Sequence, residues 1–155
     1  MLREFQSKNG KNVPADYKAK VAMKTGMGVI KDRATKEVKF PAAATADDIY
    51  IVNKARIPTG INCARTDMSD YDDNFVKVAS GEFVKLETYT NPESFGTDAK
   101  GATATKGKVL AVGVDGLWAD AATTVASKYL YADDYVDNGH TLMKIDVLDA
   151  PIKNA

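Results

Sequence analysis

The stretch that decides the fold is Gly107-Lys-Val-Leu-Ala-Val-Gly-Val-Asp-Gly-Leu-Trp-Ala119, in which two apolar runs flank Asp115-Gly116. An Asp-Gly pair between apolar runs is a strong signal for a β-hairpin with a two-residue loop. A type I′ turn needs a positive φ at both central residues, which Asp tolerates and Gly adopts freely. The stretch therefore predicts a hairpin that turns at Asp115-Gly116.

A two-residue loop also sets the register of this hairpin. It places Val114 opposite Leu117, and it places the ring of Trp118 across Gly113 on the partner strand, an arrangement that pins strand register. We therefore expect one face of the hairpin to carry Leu110, Val112, Val114 and Leu117.

Other short apolar segments alternate with polar residues or end at turn residues, as strands do. They lie at 17–23, 28–31, 37–40, 48–52, 129–131 and 142–148. Segments 75–78 and 83–86 predict a second hairpin, whose three-residue loop sets Val76 opposite Leu86 and Val78 opposite Val84. With little helical pattern, the chain is predicted to be all-β: a single compact β-sandwich or β-barrel domain over residues 17–155.

Residues 1–16 follow neither a strand period nor a helix period, and Asn9-Gly10 and Pro14 interrupt them. We expect this segment to be a non-globular N-terminal arm that becomes ordered on a partner. Its isolated apolar residues would make the partner contacts: Leu2, Phe5 and Val13. A frayed terminus without a function is the alternative.

The charge balance argues against several classes of partner. Lys plus Arg and Asp plus Glu both number 21, so the net charge is zero and no general basic field exists for nucleic acid. No stretch approaches the roughly 20 apolar residues of a membrane helix, and the first residues lack the apolar core of a signal peptide. These features predict a soluble domain made in the cytoplasm, without nucleic-acid or membrane partners.

The candidate catalytic residues are few. His140 follows Gly139 at the start of a strand, but no serine, cysteine or paired carboxylate stands out as its partner. Cys63 has no local nucleophile motif, and one cysteine with one histidine cannot build the usual zinc site. We therefore predict a protein that is not an enzyme, with no catalytic residue and no metal or cofactor.

Three other motifs fit structural roles better than binding roles. The acidic segments 67–73 and 133–139 lack the ligand spacing of a calcium loop, and both are interpreted as turns. Gly26-x-Gly28 lacks the third glycine, the lysine and the helix of a phosphate loop. Lys18, Lys20 and Lys24 form a stripe too short for single-strand binding, interpreted as a solvated strand face.

The order of these pieces resembles the small decoration, or cement, proteins on the heads of tailed bacteriophages. The residues that carry the likeness run from about Met23 onward. They are Ala-Thr-Ala-Asp-Asp-Ile-Tyr-Ile at 44–51 and Val-Ala-Ser-Gly-Glu-Phe-Val-Lys-Leu at 78–86, then 107–118 and the closing Gly-His-Thr-Leu-Met-Lys-Ile-Asp-Val at 139–147. The N-terminal arm completes the likeness.

The resemblance implies a compact, non-enzymatic β-domain on the capsid surface of a virion, where it binds the major capsid protein and stabilises the head. It also implies a homo-oligomer, with a trimer favoured. The competing hypothesis is a β-module that binds a small molecule or a carbohydrate on exposed aromatic rings. The candidates for such a platform are Tyr50, Tyr89, Trp118 and Tyr135.

Overall fold

The computed structural model describes residues 1–6, 16–54 and 73–155 of the chain. Within these residues nearly all regular structure is β, which confirms the predicted class. The elements in chain order are β1 (Leu2–Gln6), β2 (Tyr17–Ala19), β3 (Met23–Lys24), β4 (Gly28–Asp32), β5 (Glu37–Lys39), β6 (Tyr50–Lys54), α1 (Asp73–Val76), β7 (Lys77–Val78), β8 (Phe83–Glu87), β9 (Ser94–Thr97), β10 (Leu110–Val112), β11 (Trp118–Asp120), β12 (Ser127–Asp137) and β13 (His140–Ile152).

Five short strands close into a barrel in the order β2-β5-β4-β6-β8. Its β2–β5 pairing is parallel, with Ala19 beside Val38. Because barrel diameter grows with strand number, five strands enclose a narrow interior that small and β-branched side chains fill. The side chains of this buried cluster include Ala19, Val29, Val38, Val52 and Val84.

The second unit is a four-stranded antiparallel sheet in the order β1-β9-β13-β12. One face packs against the β10–β11 hairpin and forms the main hydrophobic core around Trp118. The indole ring lies near the rings of Phe95 and Tyr129, with centroids 5.8 and 5.0 Å away, and its Nε1 donates to the carbonyl of Gly26 at 3.0 Å. This hydrogen bond links the core of the sheet to the chain that enters the barrel.

Gly26 and Gly28 are explained by close packing between these two units, and not by a phosphate site. A Cβ on Gly26 would lie 2.3 Å from Oγ1 of Thr97, and one on Gly28 would lie 2.3 Å from a methyl of Val112. Gly26 also has a φ of +94°, where side chains are strained. The pair of glycines therefore lets the barrel approach the core.

The predicted hairpin is present at Asp115-Gly116, but its predicted register is wrong. The amide of Gly113 donates to the carbonyl of Leu117 at 2.9 Å, and only Gly116 of the two turn residues has a positive φ, +77°. The loop therefore has three residues, a type I turn followed by a left-handed glycine. This one-residue shift places Trp118 opposite Val112 and turns its ring into the core, while Val114 is 62% exposed.

The prediction of a non-globular N-terminal arm is wrong for residues 1–6. Leu2–Gln6 is β1, an edge strand paired with β9 from Leu2↔Thr97 to Gln6↔Ser94. The pairing satisfies the backbone groups of β1 that face β9, and Leu2 packs against the main core. Residues 7–15, which include Val13, lie outside the described residues.

The second predicted hairpin is also wrong. Lys77–Val78 pairs with β3, whereas Phe83–Glu87 joins the barrel between β2 and β6. The turn at Gly81 exists, with φ +82°, but the strands on either side of it separate. Because β7 and β8 separate, Val78 and Val84 pack into the barrel cluster from two different strands.

Candidate functional site

The end of the β12–β13 hairpin, residues 133–141, is exposed at every residue except the half-buried Asp137, and is called the hairpin tip below. Its turn is Asn138-Gly139, with φ values of +50° and +84°, and Asp137 pairs with His140. This is the two-residue turn with both φ values positive that an Asn-Gly pair favours. The acidic segment 133–139, interpreted from the sequence as a turn, is therefore mostly strand.

The hairpin tip presents apolar side chains to solvent on both of its faces. Tyr135 is 43% exposed and Val136 is 65% exposed. As neighbours on a strand, they point to opposite faces. The pairing of β13 with β9 covers only Met143 to Asp146, so the tip runs past the other strands of the sheet. Exposed apolar groups on a projecting ribbon are suited to contact with another macromolecule.

Strand β1 supports the tip from one side. Phe5 is the extra residue of a bulge between Glu4 and Gln6, and such a bulge re-aims a side chain. The ring of Phe5 lies over Gly96, where a Cβ would be 2.7 Å away, and meets the ring of Tyr135 edge-on at 4.7 Å between centroids. The Nε atom of Arg3 donates to Oδ2 of Asp137 at 2.7 Å.

Two of the three predicted contact residues therefore sit in the sheet: Leu2 on the core and Phe5 beneath Tyr135. Sequence reasoning named Tyr135 only as one ring of a carbohydrate platform, and it missed Val136. The signal that was available is Asn138-Gly139, because a two-residue turn there makes both residues part of a hairpin end.

Polar groups fix the base of the tip. The hydroxyl of Tyr131 donates to Asp134, and Nζ of Lys100 donates to the same hydroxyl at 2.9 Å. Burial and the hydrogen bond with Asp134 raise the pKa of Tyr131. Lys106 forms a hydrogen-bonded ion pair with Asp133, which lowers the pKa of Asp133 and raises that of Lys106.

The four rings named as candidates for a carbohydrate platform do not lie on one surface. Trp118 and Tyr89 are buried in the main core, where Tyr89 stacks on Phe95 at 4.6 Å. Tyr50 is half-buried with Nζ of Lys31 at 4.0 Å from its ring centroid, and Tyr135 is at the hairpin tip. For Trp118 the reason is the register of its hairpin, because the predicted register turns the indole ring away from the core.

The remaining candidate residues are dispersed. His140 begins β13 at the exposed turn, whereas Cys63 and nearly all of the acidic segment 67–73 lie outside the described residues. The lysine stripe is split, with Lys18 in β2, Lys24 in β3 and Lys20 between the two strands. The Nζ atom of Lys18 lies 5.0 Å from the ring centroid of Phe83. In residues 1–6, 16–54 and 73–155 no group of three or more His, Cys, Asp or Glu is placed to hold a metal ion.

No helix in the described part of the chain is long and apolar enough to cross a membrane. Comparison of the chain with family models, curated proteins and solved structures gives no match.

Proposed function

We propose that this protein is a non-enzymatic structural protein of a phage virion, which binds the outer surface of the capsid and stabilises the head. Its partner is the major capsid protein, and the hairpin tip is the contact element. The observation that carries this proposal is the exposure of Tyr135 and Val136 on a ribbon that runs past its own sheet. The resemblance in the order of sequence segments supplies the kind of partner.

The construction of the tip supports a role in binding. A contact loses less conformational entropy on association when its side chains are already held in place. Phe5 holds the ring of Tyr135, and the two positive φ values fix the turn. The tip can therefore insert into a groove on the capsid with little reorganisation.

A homo-oligomer, with a trimer favoured, is part of the proposal. With a net charge of zero, copies of the chain do not repel one another strongly near neutral pH. Several tips on one oligomer would bind neighbouring capsid subunits together, and the linked contacts would raise the affinity without new types of contact. Light scattering of the purified protein would measure the number of copies.

The test uses capsids of the phage or prophage that encodes the chain, prepared without this protein. Val136→Ser, alone and with Tyr135→Ser, is compared with Val114→Ser in a capsid sedimentation assay. Val114 and Val136 are similarly exposed, at 62% and 65%, but Val114 lies in the β10–β11 loop. We expect the double variant to bind at least about tenfold more weakly, because aromatic anchors contribute most to interfaces, and Val114→Ser to bind normally.

Thermal unfolding of each variant without capsids checks that the fold is intact. If the wild-type protein fails to bind the capsids, the proposed function is wrong. If the tip variants bind as tightly as the wild type, the hairpin tip is not the contact element.

A further inference from the structure

A cleft far from the hairpin tip has the features of a small-ligand site. It lies between the residues before β6 and the first residues of β12, and its volume is about 300 Å³. An apolar cavity of roughly half that volume, ~150 Å³, takes up benzene, so this cleft has room for one substituted six-membered ring. The residues that matter for its chemistry are Asp47, Asp48, Tyr50, Tyr89 and Tyr129.

The feature that points to a ligand is the hydroxyl of Tyr129. The residue is only 4% exposed, and no residue in the described part of the chain shares a hydrogen bond with this hydroxyl. The oxygen is not sealed from solvent, because every fully enclosed side-chain N or O atom among the described residues has a partner. Tyr129 is one of the residues that line the cleft, so we take the cleft as the side from which a ligand atom would reach this hydroxyl.

Two neighbouring hydroxyls in the lining already have partners. The hydroxyl of Tyr89 donates to Oε2 of Glu87 at 2.6 Å. Oγ of Ser127 donates to the carbonyl of Leu110 and accepts from the amide of Tyr129. Because solvent reaches the hydroxyl of Tyr129, a ligand hydroxyl that pairs with it would replace a hydrogen bond to water, and the net gain would be that of one ordinary hydrogen bond.

The wall and rim provide complementary chemistry. Tyr50 separates this cleft from a neighbouring groove that Lys31 lines, and Lys31 lies 4.0 Å from the ring centroid. At the rim, Asp47 and Asp48 are exposed, and no described residue donates a hydrogen bond to either carboxylate. The cleft thus combines the half-buried ring of Tyr50 with the carboxylates of Asp47 and Asp48, the ammonium group of Lys128 and the hydroxyl of Tyr129.

We infer that this cleft binds a neutral, polyhydroxylated ring, such as one pyranose unit of a glycan. Tyr129 would hydrogen-bond one ring hydroxyl, the carboxylates of Asp47 and Asp48 would accept from others, and the half-buried ring of Tyr50 would contact the C–H groups. Lys128 also lines the cleft, and two carboxylates against its one ammonium group favour a neutral ring over an anion. This inference is independent of capsid binding and concerns different residues.

The test is a titration of the isotope-labelled protein with D-glucose, D-galactose and N-acetyl-D-glucosamine, followed by amide NMR. Tetrahydropyran, which has the ring but no hydroxyls, is the matched control ligand. We expect millimolar sugar to shift the amides around the cleft, at 46–50, 88–90 and 126–129, and tetrahydropyran to leave them unchanged. No shift with any of the three sugars, or an equal shift with tetrahydropyran, would overturn the inference.

The variant is Tyr129→Phe, which removes only the hydroxyl. Its control is Tyr131→Phe on the same strand, because the hydroxyl of Tyr131 is bonded to Lys100 and Asp134. We expect Tyr129→Phe to weaken sugar binding by about 3- to 10-fold, the effect of one hydrogen bond, and Tyr131→Phe to bind sugar normally. Unchanged sugar affinity in Tyr129→Phe would show that the hydroxyl is not a ligand contact and would contradict the inference.

Discussion

The contact between the barrel and the sheet at Gly26 can be tested by adding a single methyl group. A Cβ at this position would lie 2.3 Å from Oγ1 of Thr97 and 2.6 Å from the carbonyl oxygen of Met1. Oγ1 of Thr97 already donates to the carbonyl of Gly26 at 3.1 Å, so the side chain has little freedom to retreat. We therefore expect Gly26→Ala to force the barrel and the sheet apart.

Gly81 provides the matched control. Its φ of +82° is close to the +94° of Gly26, but a Cβ there meets no atom within 4 Å. Placing alanine in the left-handed region costs about 1–2 kcal/mol of unfolding free energy at either position. Overpacking adds about 1–3 kcal/mol at Gly26 alone.

The assay is thermal unfolding followed by circular dichroism. At about 2–4 °C per kcal/mol for a domain of this size, Gly81→Ala should lower Tm by about 2–8 °C. Gly26→Ala should lower it by about 4–20 °C. Equal Tm values for the two variants would refute the close approach of the two units at Gly26, because backbone strain would then explain the whole effect.

Three further predictions concern β1, the buried tyrosine and the base of the hairpin tip. Phe5→Ala should lower the free energy of unfolding in urea by about 1–3 kcal/mol, less than for a fully buried ring; no change would place β1 outside the cooperative domain. Burial raises the pKa of Tyr129 to about 12 from 10.0, so its contribution to stability is complete below pH 10 and is lost as the pH rises through about 12. The check is the free energy of unfolding of the wild type and of Tyr129→Phe as the pH rises across this range. If it falls equally in both proteins, the raised pKa of Tyr129 is wrong. Lys106 lowers the pKa of Asp133, so this carboxylate stabilises the fold above the ordinary carboxyl range and the effect is lost as the pH falls through the folded pKa. In Lys106→Gln an NMR titration should find the pKa of Asp133 raised toward 3.8, and an unchanged value would rule out the ion pair in solution.

The fold class could be predicted from the sequence because apolar and polar residues alternate wherever a strand is regular. Met143, Ile145 and Val147 alternate with Lys144 and Asp146, and the three apolar residues are buried as that pattern requires. In β1 the alternation fails because Phe5 is a bulge residue, which breaks the period of two. The same bulge that turns Phe5 toward Tyr135 concealed the strand.

The register of the Asp115-Gly116 hairpin shows a different limit of local signals. Asp115-Gly116 and Asn138-Gly139 are the same type of dipeptide, yet they form a three-residue and a two-residue loop. The dipeptide does not determine loop length; Oδ1 of Asp115 accepts from the amide of Leu117, and the shifted register lets Trp118 enter the core. Tertiary packing thus decided which face the indole ring occupied.

The candidate sites depend on contacts between distant segments, which periodicity cannot report. Tyr135 and Val136 are adjacent in sequence, but their exposure depends on β9 ending short of them. The cleft at Tyr129 needs the segment before β6 and the start of β12, which are far apart along the chain. From the sequence alone, only the presence of aromatic side chains at positions such as Tyr129 and Tyr135 was apparent.

The strand order β1-β9-β13-β12 has a consequence for how the domain folds. Of its three pairings, only β12–β13 joins neighbours along the chain, through the two-residue turn at Asn138-Gly139. Closing a short loop costs much less entropy than bringing Leu2 to Thr97 across most of the chain. We therefore expect the long hairpin to form early and β9 and then β1 to add to it, with these distant pairings slowing folding as in other proteins of high contact order.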